Sequence, residues 1–270
     1  EIQRRAYGAL RRGRNAVVSD QCGSGKTLAY LLPLIMRLRE DRIAGVGLEG
    51  AGRLPGLRGL IVAPDAELAV QVHEVCTRLF SAGSGVYCRL ITDTQPGLDA
   101  HTDQDVDVLI ATTDQLSEDP ELSQFQLGGL KFVVFDEGDS FFIDLTTRFT
   151  FKVEGLLARL GPEVQKVFVS ATMPEQVQGR ISTAVGTISG EPGRVGDDVD
   201  IILGPGLHKV QRVDFLLAER SRNLTMDVAM ALRQNRAPRT LVFVDDVYEL
   251  MAVRDQLRAM GTGWEVLDLG

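Results

Sequence analysis

One short stretch of this chain, residues 23–27, restricts the possible fold more than any other feature. It reads Gly-Ser-Gly-Lys-Thr and lies between an apolar strand-like run, residues 16–19, and a helical pattern that begins at Thr27. A glycine-rich turn in this setting directs backbone N–H groups inward at a helix N-terminus, where the partial positive charge suits phosphate. The stretch therefore predicts a phosphate-binding loop, in which Lys26 contacts the β- and γ-phosphates and the Thr27 hydroxyl ligates magnesium.

The first position of this loop departs from the usual pattern. A phosphate-binding loop normally begins with glycine, and here that position holds Asp20. A carboxylate close to phosphates would repel them. A purely structural glycine-rich turn is the alternative interpretation, and the strand-turn-helix context favours phosphate binding over it.

Short apolar runs alternate with longer amphipathic segments along most of the chain. This alternation predicts an α/β fold, with strand-helix units around a parallel sheet. The predicted strands cover residues 16–19, 59–63, 86–92, 106–111, 132–136, 166–170 and 200–203. The predicted helices cover residues 27–40, 67–80, 151–160 and 174–185. The glycine-rich stretch 43–57 is typical of a surface loop.

A glycine-proline-glycine break at residues 204–206 predicts a domain boundary. We expect one domain over residues 1–205 and the beginning of a second, incomplete domain over residues 206–270. Within the second part, the pattern predicts strands at residues 210–217 and 240–244 and helices at residues 224–234 and 247–260.

Two acidic residues, Asp136 and Glu137, follow the apolar run 132–135. Open α/β sheets bind ligands at the carboxyl ends of their parallel strands. Asp136 is therefore a candidate magnesium ligand, and Glu137 can orient and deprotonate an attacking water. A solvated turn is the alternative for an isolated acidic pair, but the phosphate-binding loop upstream favours the catalytic interpretation.

Composition sets wide limits on function. The hydrophobic fraction of 44% and charged fraction of 24% are those of an ordinary globular chain, and no run of apolar residues is long enough to span a membrane. Three cysteines without ligand spacing favour a reducing, intracellular compartment. A net charge of −8 argues against attraction of nucleic acid to the whole surface, so a nucleic-acid role depends on motifs.

Taken in order, these segments resemble the DEAD-box ATP-dependent RNA helicases of superfamily 2. Residues 20–27 look like motif I, residues 136–139 like motif II and residues 170–172, Ser-Ala-Thr, like motif III. Gln3 precedes the loop at the distance of the family's adenine-reading glutamine. The resemblance covers most of the chain, and the ordered series is far more specific than any one motif.

The resemblance implies a P-loop NTPase with a RecA-like parallel sheet flanked by helices, followed by the start of a second RecA-like domain. It implies an ATP hydrolase that uses ATP and Mg²⁺ to unwind or remodel RNA. The residues implied to bind nucleotide are Gln3, Cys22, Gly23, Ser24, Gly25, Lys26 and Thr27. Catalysis is assigned to Lys26, Asp136 and Glu137, the metal to Thr27 and Asp136, and coupling to RNA to Asp139, Ser170 and Thr172.

The RNA-side motifs depart from the family pattern. Motif Ia, usually Pro-Thr-Arg-Glu-Leu, reads Pro-Asp-Ala-Glu-Leu at residues 64–68, and motif Ib, usually Thr-Pro-Gly-Arg, reads Thr-Thr-Asp-Gln at residues 112–115. Pro64, Glu67 and Thr112 remain the candidate RNA contacts. Because phosphate contacts supply much of the affinity for nucleic acid, we expect weak or altered RNA binding.

Several expectations concern the protein as a whole. Motifs V and VI, with the arginines that complete the family's ATP site, do not occur before Gly270, so slow hydrolysis is expected from these residues alone. Two alternatives stay open: a nucleotide-gated RNA–protein assembly factor without unwinding activity, and a DNA-directed superfamily 2 ATPase. The run around motif I is also similar to plastid members, which favours a chloroplast location, and we expect a monomer.

Overall fold

The computed structural model describes most of the chain in separate ranges. These are residues 1–43, 57–80, 86–91, 106–118, 129–142, 148–188, 199–204, 224–234, 242, 244, 247–260 and 265. The predicted strand 210–217, most of the predicted strand 240–244 and nearly all of the predicted loop 43–57 lie outside these ranges. The chain divides into two compact units, Glu1–His208 and Lys209–Gly270.

The first unit is built on a seven-stranded sheet in which every paired strand is parallel. Its strands are β1 (Asn15–Ser19), β2 (Gly59–Ala63), β3 (Cys88–Leu90), β4 (Val108–Thr112), β5 (Phe132–Asp136), β6 (Gln165–Ser170) and β7 (Val199–Leu203). The order across the sheet is β3-β4-β2-β5-β6-β1-β7. The prediction of a parallel sheet is therefore confirmed, although β3 is shorter than predicted and β4 begins and ends later.

Helices connect the strands, as the amphipathic segments predict. In the first unit they are α1 (Ile2–Arg11), α2 (Lys26–Ile43), α3 (Ala66–Phe80), α4 (Thr113–Glu118), α5 (Arg148–Arg159) and α6 (Glu175–Ile188). Two of these, α1 and α4, were not predicted. Among the described residues, no helix is both long and apolar enough to cross a bilayer.

The central strands are apolar on both faces because helices cover the sheet from both sides. In β5, Phe132 and Val134 pack into one apolar cluster, whereas Val133 and Phe135 pack into the other. This burial on both faces makes the centre of the sheet a rigid base. The residues that follow its strands are held at one edge of that base.

The second unit contains two described helices, α7 (Leu224–Gln234) and α8 (Val247–Ala259). Val253 and Leu257 of α8 form a small apolar cluster with Val228 and Leu232 of α7. Both helices agree closely with the predicted ranges.

Candidate nucleotide site and the adjoining sheet edge

All strands are parallel, so their carboxyl ends meet at one edge of the sheet. Reading across that edge, the order of the motifs is Ib after β4, Ia after β2, II after β5, III after β6 and I after β1. Neighbouring strands are in register there, since Asp136 pairs with Val169 and Ser19 pairs with Ser170. Motifs far apart in sequence are thus placed side by side.

The phosphate-binding loop, residues 20–27, follows β1 and ends in the first turn of α2. Gly23 and Gly25 have φ angles of 76° and 87°, a backbone conformation that residues with a side chain rarely adopt. The Lys26 ammonium donates hydrogen bonds to the carbonyl oxygens of Asp20 at 2.7 Å and Gln21 at 3.1 Å. The glycines are therefore required by the turn, and the loop curves around the lysine.

The loop carries features that fit an anionic ligand. The hydroxyl of Ser24 is buried and has no hydrogen-bond partner within the part of the chain that the structure describes. Lys26, two residues further along the loop, is buried, and the hydrogen bonds described for its ammonium go to neutral carbonyls. A donor without an acceptor, in the same loop as a cation at a helix N-terminus, suits phosphate oxygens. Thr27 lies half-buried on α2, and Cys22 is exposed at the tip of the loop.

The Asp20 carboxylate packs against Gly204. Its Oδ1 accepts a hydrogen bond from the Gln21 backbone N–H at 2.9 Å, and its Cγ lies 2.0 Å from where a Cβ on Gly204 would stand. The carboxylate therefore fills the space beside the glycine that follows β7. Among the described hydrogen bonds, Lys26 donates to the backbone carbonyl of Asp20.

Gln3 binds the phosphate-binding loop directly. Its side-chain Nε2 donates to the carbonyl oxygens of Ser24 at 3.0 Å and Gly25 at 3.1 Å. A Cβ on Gly25 would lie 2.1 Å from that nitrogen, so the approach requires glycine. The structure brings Gln3 to this loop, where its amide connects α1 to the residues that precede Lys26.

Asp136 ends β5 as a buried carboxylate, 4% exposed, with both oxygens bonded. Its Oδ2 accepts a hydrogen bond from the Tyr30 phenol at 2.8 Å, and its Oδ1 accepts one from the Glu137 backbone N–H at 3.1 Å. Burial raises the pKa of Asp136, while the Tyr30 bond, the Glu137 N–H and the charge of Lys26 act in the opposite direction. Lys26 and Asp136 therefore belong to one electrostatic site.

Burial, followed by the charge of Asp136, raises the pKa of Tyr30 well above its ordinary value. The phenol consequently remains a hydrogen-bond donor at physiological pH. Sequence analysis missed Tyr30, because a tyrosine within an apolar helical run looks like a core residue and its partner is distant in the chain.

Glu137 has a positive φ of 47°, which is uncommon for a residue with a side chain. Its Oε2 accepts a bond from the Ser170 hydroxyl at 3.5 Å, and its backbone carbonyl accepts from the Ser140 hydroxyl at 2.7 Å. The next residue, Gly138, donates its N–H to the Val169 carbonyl at 2.7 Å. These bonds hold the turn, and thus Glu137, beside the end of β6.

Asp139 joins motif II to motif III. Its Oδ2 accepts a hydrogen bond from the Thr172 hydroxyl at 2.5 Å, and its Oδ1 accepts from the Ser140 backbone N–H at 3.0 Å. The Ser170 hydroxyl accepts a bond from the Thr172 backbone N–H at 3.2 Å. Of the two hydroxyls named from the resemblance, Thr172 bonds Asp139, whereas Ser170 bonds Glu137.

Motif Ia lies at the start of α3, where its acid has a structural role. Asp65 precedes α3, and its Oδ1 accepts a hydrogen bond from the Leu68 backbone N–H at 2.8 Å. This is an N-cap, which aspartate supplies as well as threonine does. Pro64 is half-buried and Glu67 is exposed, so neither is joined to the motif II residues by a bond in the described chain. Aspartate in place of the family's threonine thus preserves the helix start and adds a negative charge.

Motif Ib forms the start of α4 in the same way. The Thr112 hydroxyl accepts a hydrogen bond from the Gln115 backbone N–H at 3.3 Å. Asp114, at the position where the family has glycine, forms an ion pair with Lys152 of α5 at 2.6 Å. The lysine is 17% exposed and the aspartate 54%. This pair, which the sequence did not predict, places a cation and an acid at motif Ib.

Comparison with known proteins agrees with this arrangement. The model of the DEAD/DEAH box helicase family matches residues 1–179. The chain is 28% identical over 262 residues to DEAD-box ATP-dependent RNA helicase 50 of Arabidopsis thaliana, covering 91% of this chain and 32% of that protein. The chain therefore spans about a third of the length of that relative.

Solved structures share the fold at low sequence identity. A hypothetical ATP-dependent RNA helicase from Sulfolobus tokodaii superposes with a TM-score of 0.54 and 20% identity, covering 76% of this chain and 52% of that one. DEAD-box helicase Mss116 bound to ssRNA and UDP-BeF superposes with a TM-score of 0.58 and 17% identity, covering 75% and 39%. The parallel sheet is thus a RecA-like helicase fold. With the family model matching residues 1–179 and motifs I, II and III adjacent on one sheet edge, the chain belongs to the DEAD/DEAH box helicase family.

Proposed function

We propose that this chain is the ATP-binding core of an RNA helicase or RNA-remodelling ATPase that hydrolyses ATP with Mg²⁺. One observation carries the proposal: Lys26, Asp136 and the bonded pair Asp139–Thr172 meet at adjacent strand ends of one sheet. Such an edge offers a cation for phosphates, a carboxylate for a metal and a link between two motifs. Family membership supports ATP as the nucleotide.

Each residue has a role that its position supports. Lys26 contacts the β- and γ-phosphates, and the loop N–H groups and the Ser24 hydroxyl supply further donors. Thr27 and Asp136 hold Mg²⁺, which when bound neutralises charge that develops on the phosphates. Glu137 orients the attacking water and accepts its proton. Gln3, which already contacts the loop, reads the adenine.

We propose RNA as the polymer, and fewer observations support RNA than support ATP. The Arabidopsis relative named above is a DEAD-box ATP-dependent RNA helicase, and the Mss116 structure is bound to ssRNA. On this chain, Pro64, Glu67 and Thr112 would lie along the RNA, and Asp139, Ser170 and Thr172 would couple it to ATP. The unit at residues 209–270 is proposed as the beginning of the second RecA-like domain.

The test is steady-state ATP turnover with and without single-stranded RNA, at one fixed salt concentration because such binding is salt-dependent. Single-stranded DNA of the same base order is the matched control. The proposal predicts stimulation by RNA and not by DNA. Equal stimulation by both polymers would favour a DNA-directed or non-selective ATPase, and no nucleotide binding at all would reject the proposal.

A second candidate is a nucleotide-gated RNA–protein assembly factor without unwinding activity. The acids Asp65 and Asp114 favour it, because they put negative charge where the family has threonine and glycine. Negative charge at phosphate-contacting positions weakens RNA binding. A duplex-separation assay distinguishes the two: ATP-dependent strand separation rejects the assembly factor, whereas RNA binding gated by ATP without separation supports it.

A further inference from the structure

Tyr30 stands out as a buried polar residue that the roles proposed so far leave unused. It lies on α2 three residues after Thr27, so the two side chains share one face of the helix. Its side chain is fully buried, yet its hydroxyl bonds a residue more than a hundred positions away, Asp136, at 2.8 Å. A phenylalanine would fill the same space without making this bond.

The bond leaves the Asp136 carboxylate with a fixed orientation. One oxygen is held by the phenol of Tyr30 and the other by the backbone N–H of Glu137. Each carboxylate oxygen can accept more than one hydrogen bond or metal contact, so these bonds leave acceptor capacity on both oxygens. The two bonds therefore prevent the carboxylate from rotating, and its oxygens can still accept a metal contact.

The hydrogen-bond partners of a metal-ligating side chain fix its orientation. Loss of such a partner typically lowers metal affinity by about 10- to 100-fold. The N–H of Glu137 comes from the adjacent backbone, whereas the phenol comes from the helix that begins at the phosphate-binding loop. Among the described contacts, the phenol is the one that ties the carboxylate to the element carrying Lys26 and Thr27.

We infer that Tyr30 is a positioning residue that holds the Asp136 carboxylate toward the Mg²⁺ of bound nucleotide. The inference depends on the proposed function, because it requires that Asp136 serve the metal. Tyr30 itself touches neither nucleotide nor metal in this account. Its effect is transmitted through Asp136.

The test is Tyr30→Phe, which removes the hydroxyl and keeps the ring. Binding of a fluorescent ATP analogue is titrated with MgCl₂ and repeated in EDTA. The Mg²⁺ concentration for half-maximal binding is expected to rise by about 10- to 100-fold, while affinity in EDTA stays unchanged. Tyr7→Phe is the matched control, since Tyr7 is exposed and the hydrogen bond described for its hydroxyl goes to the Met36 sulfur at 3.6 Å.

A second pair of variants distinguishes positioning from a general packing defect. In an Asp136→Asn background, Tyr30→Phe is expected to cause no further change in Mg²⁺ dependence, because the carboxylate that Tyr30 positions is already absent. An equal additional loss in that background would overturn the inference, as would a Tyr30→Phe titration that matches the unmutated chain. Mg²⁺-independent nucleotide binding by the unmutated chain would overturn both the inference and the proposed metal site.

Discussion

The two halves of the sheet edge hold their polar side chains by different kinds of bond. On the nucleotide half, after β1, β5 and β6, the bonds join residues distant in sequence, as in Tyr30–Asp136 and Thr172–Asp139. On the outer half, after β2 and β4, Asp65 and Thr112 each bond a backbone N–H three residues further along. The longer-range pair on that half, Asp114–Lys152, has its acid 54% exposed. The bonds of the nucleotide half depend on the assembled fold, whereas those of Asp65 and Thr112 depend on the start of one helix.

This difference accounts for the aspartate in motif Ia, and it does not account for Asp20 in motif I. A helix cap needs only a side-chain oxygen, so aspartate can replace threonine without loss of the helix start. A bond between strands needs one donor and one acceptor at fixed positions, so substitution there leaves a buried group unsatisfied. Changes at motifs Ia and Ib are therefore compatible with the fold, while motifs I, II and III retain their bonded residues.

Asp136→Asn should give the largest change on the nucleotide half. We expect ATP turnover to fall by about 100-fold or more, because the carboxylate proposed to hold Mg²⁺ at the phosphates is removed. The same variant should raise the free energy of unfolding at neutral pH, since burial raises the pKa of Asp136 and so penalises its charged form.

The pH dependence of that stability has a definite sign. As pH falls through the raised pKa, Asp136 becomes protonated in the native chain and the penalty is relieved. The stability gain of Asp136→Asn should therefore be greatest near neutral pH and vanish below about pH 4. Urea unfolding over this pH range measures it, and a variant less stable than the unmutated chain at pH 7 would contradict the explanation.

Thr172→Val should affect both stability and coupling. Removing the hydroxyl leaves the buried Asp139 Oδ2 without its donor, at a cost of about 1–3 kcal/mol in unfolding free energy. We also expect RNA to stimulate ATP turnover less, while nucleotide affinity is retained. Full RNA stimulation in this variant would show that the bond does not couple the motifs.

Asp65→Ala tests the outer half, where the effect should be local. Loss of the N-cap is expected to cost about 0.5–2 kcal/mol in unfolding free energy, with nucleotide affinity unchanged. Asp65→Thr is the matched control, because it keeps a capping oxygen and removes the charge. RNA affinity that rises in Asp65→Thr would support charge repulsion, and a loss of ATP affinity in Asp65→Ala would break the distinction between the halves.

The smallest effect is expected at the ion pair between Lys152 and Asp114. Because Asp114 is 54% exposed, Asp114→Asn should change the unfolding free energy by less than about 1 kcal/mol. The variant also frees Lys152 for a phosphate, so RNA affinity should rise most at low salt. Equal RNA affinity in both chains across a salt titration would contradict this second effect.

Local patterns in the sequence predicted most of the sheet, because buried parallel strands are short apolar runs that end in turn residues. The same reasoning missed α1, although Ile2, Ala6 and Ala9 repeat at helical spacing, since arginines and a glycine interrupt a short segment. It missed α4 because that helix follows β4 without any loop.

Less of the candidate site than of the fold could be predicted from the sequence. The motifs identified Lys26, Asp136 and Asp139, and the resemblance named Thr172 as one possible partner of Asp139. The partner of Asp136 lies on a helix more than a hundred positions away and was not identified. Tyr30 carries no local signal, because its hydroxyl bonds Asp136, which is more than a hundred positions away in the chain. Asp65 was interpreted as a lost RNA contact, although its place before a predicted helix also indicated an N-cap.

The most direct test of the nucleotide half is equilibrium binding of ATP with Mg²⁺ to the unmutated chain and to Lys26→Ala. Lys131→Ala is the matched control, because Lys131 precedes β5 at the opposite edge of the sheet. Loss of a charged hydrogen-bond donor predicts an affinity about 10- to 100-fold weaker for Lys26→Ala and no change for Lys131→Ala. Unchanged ATP affinity in Lys26→Ala would contradict the assignment of this sheet edge as an ATP site.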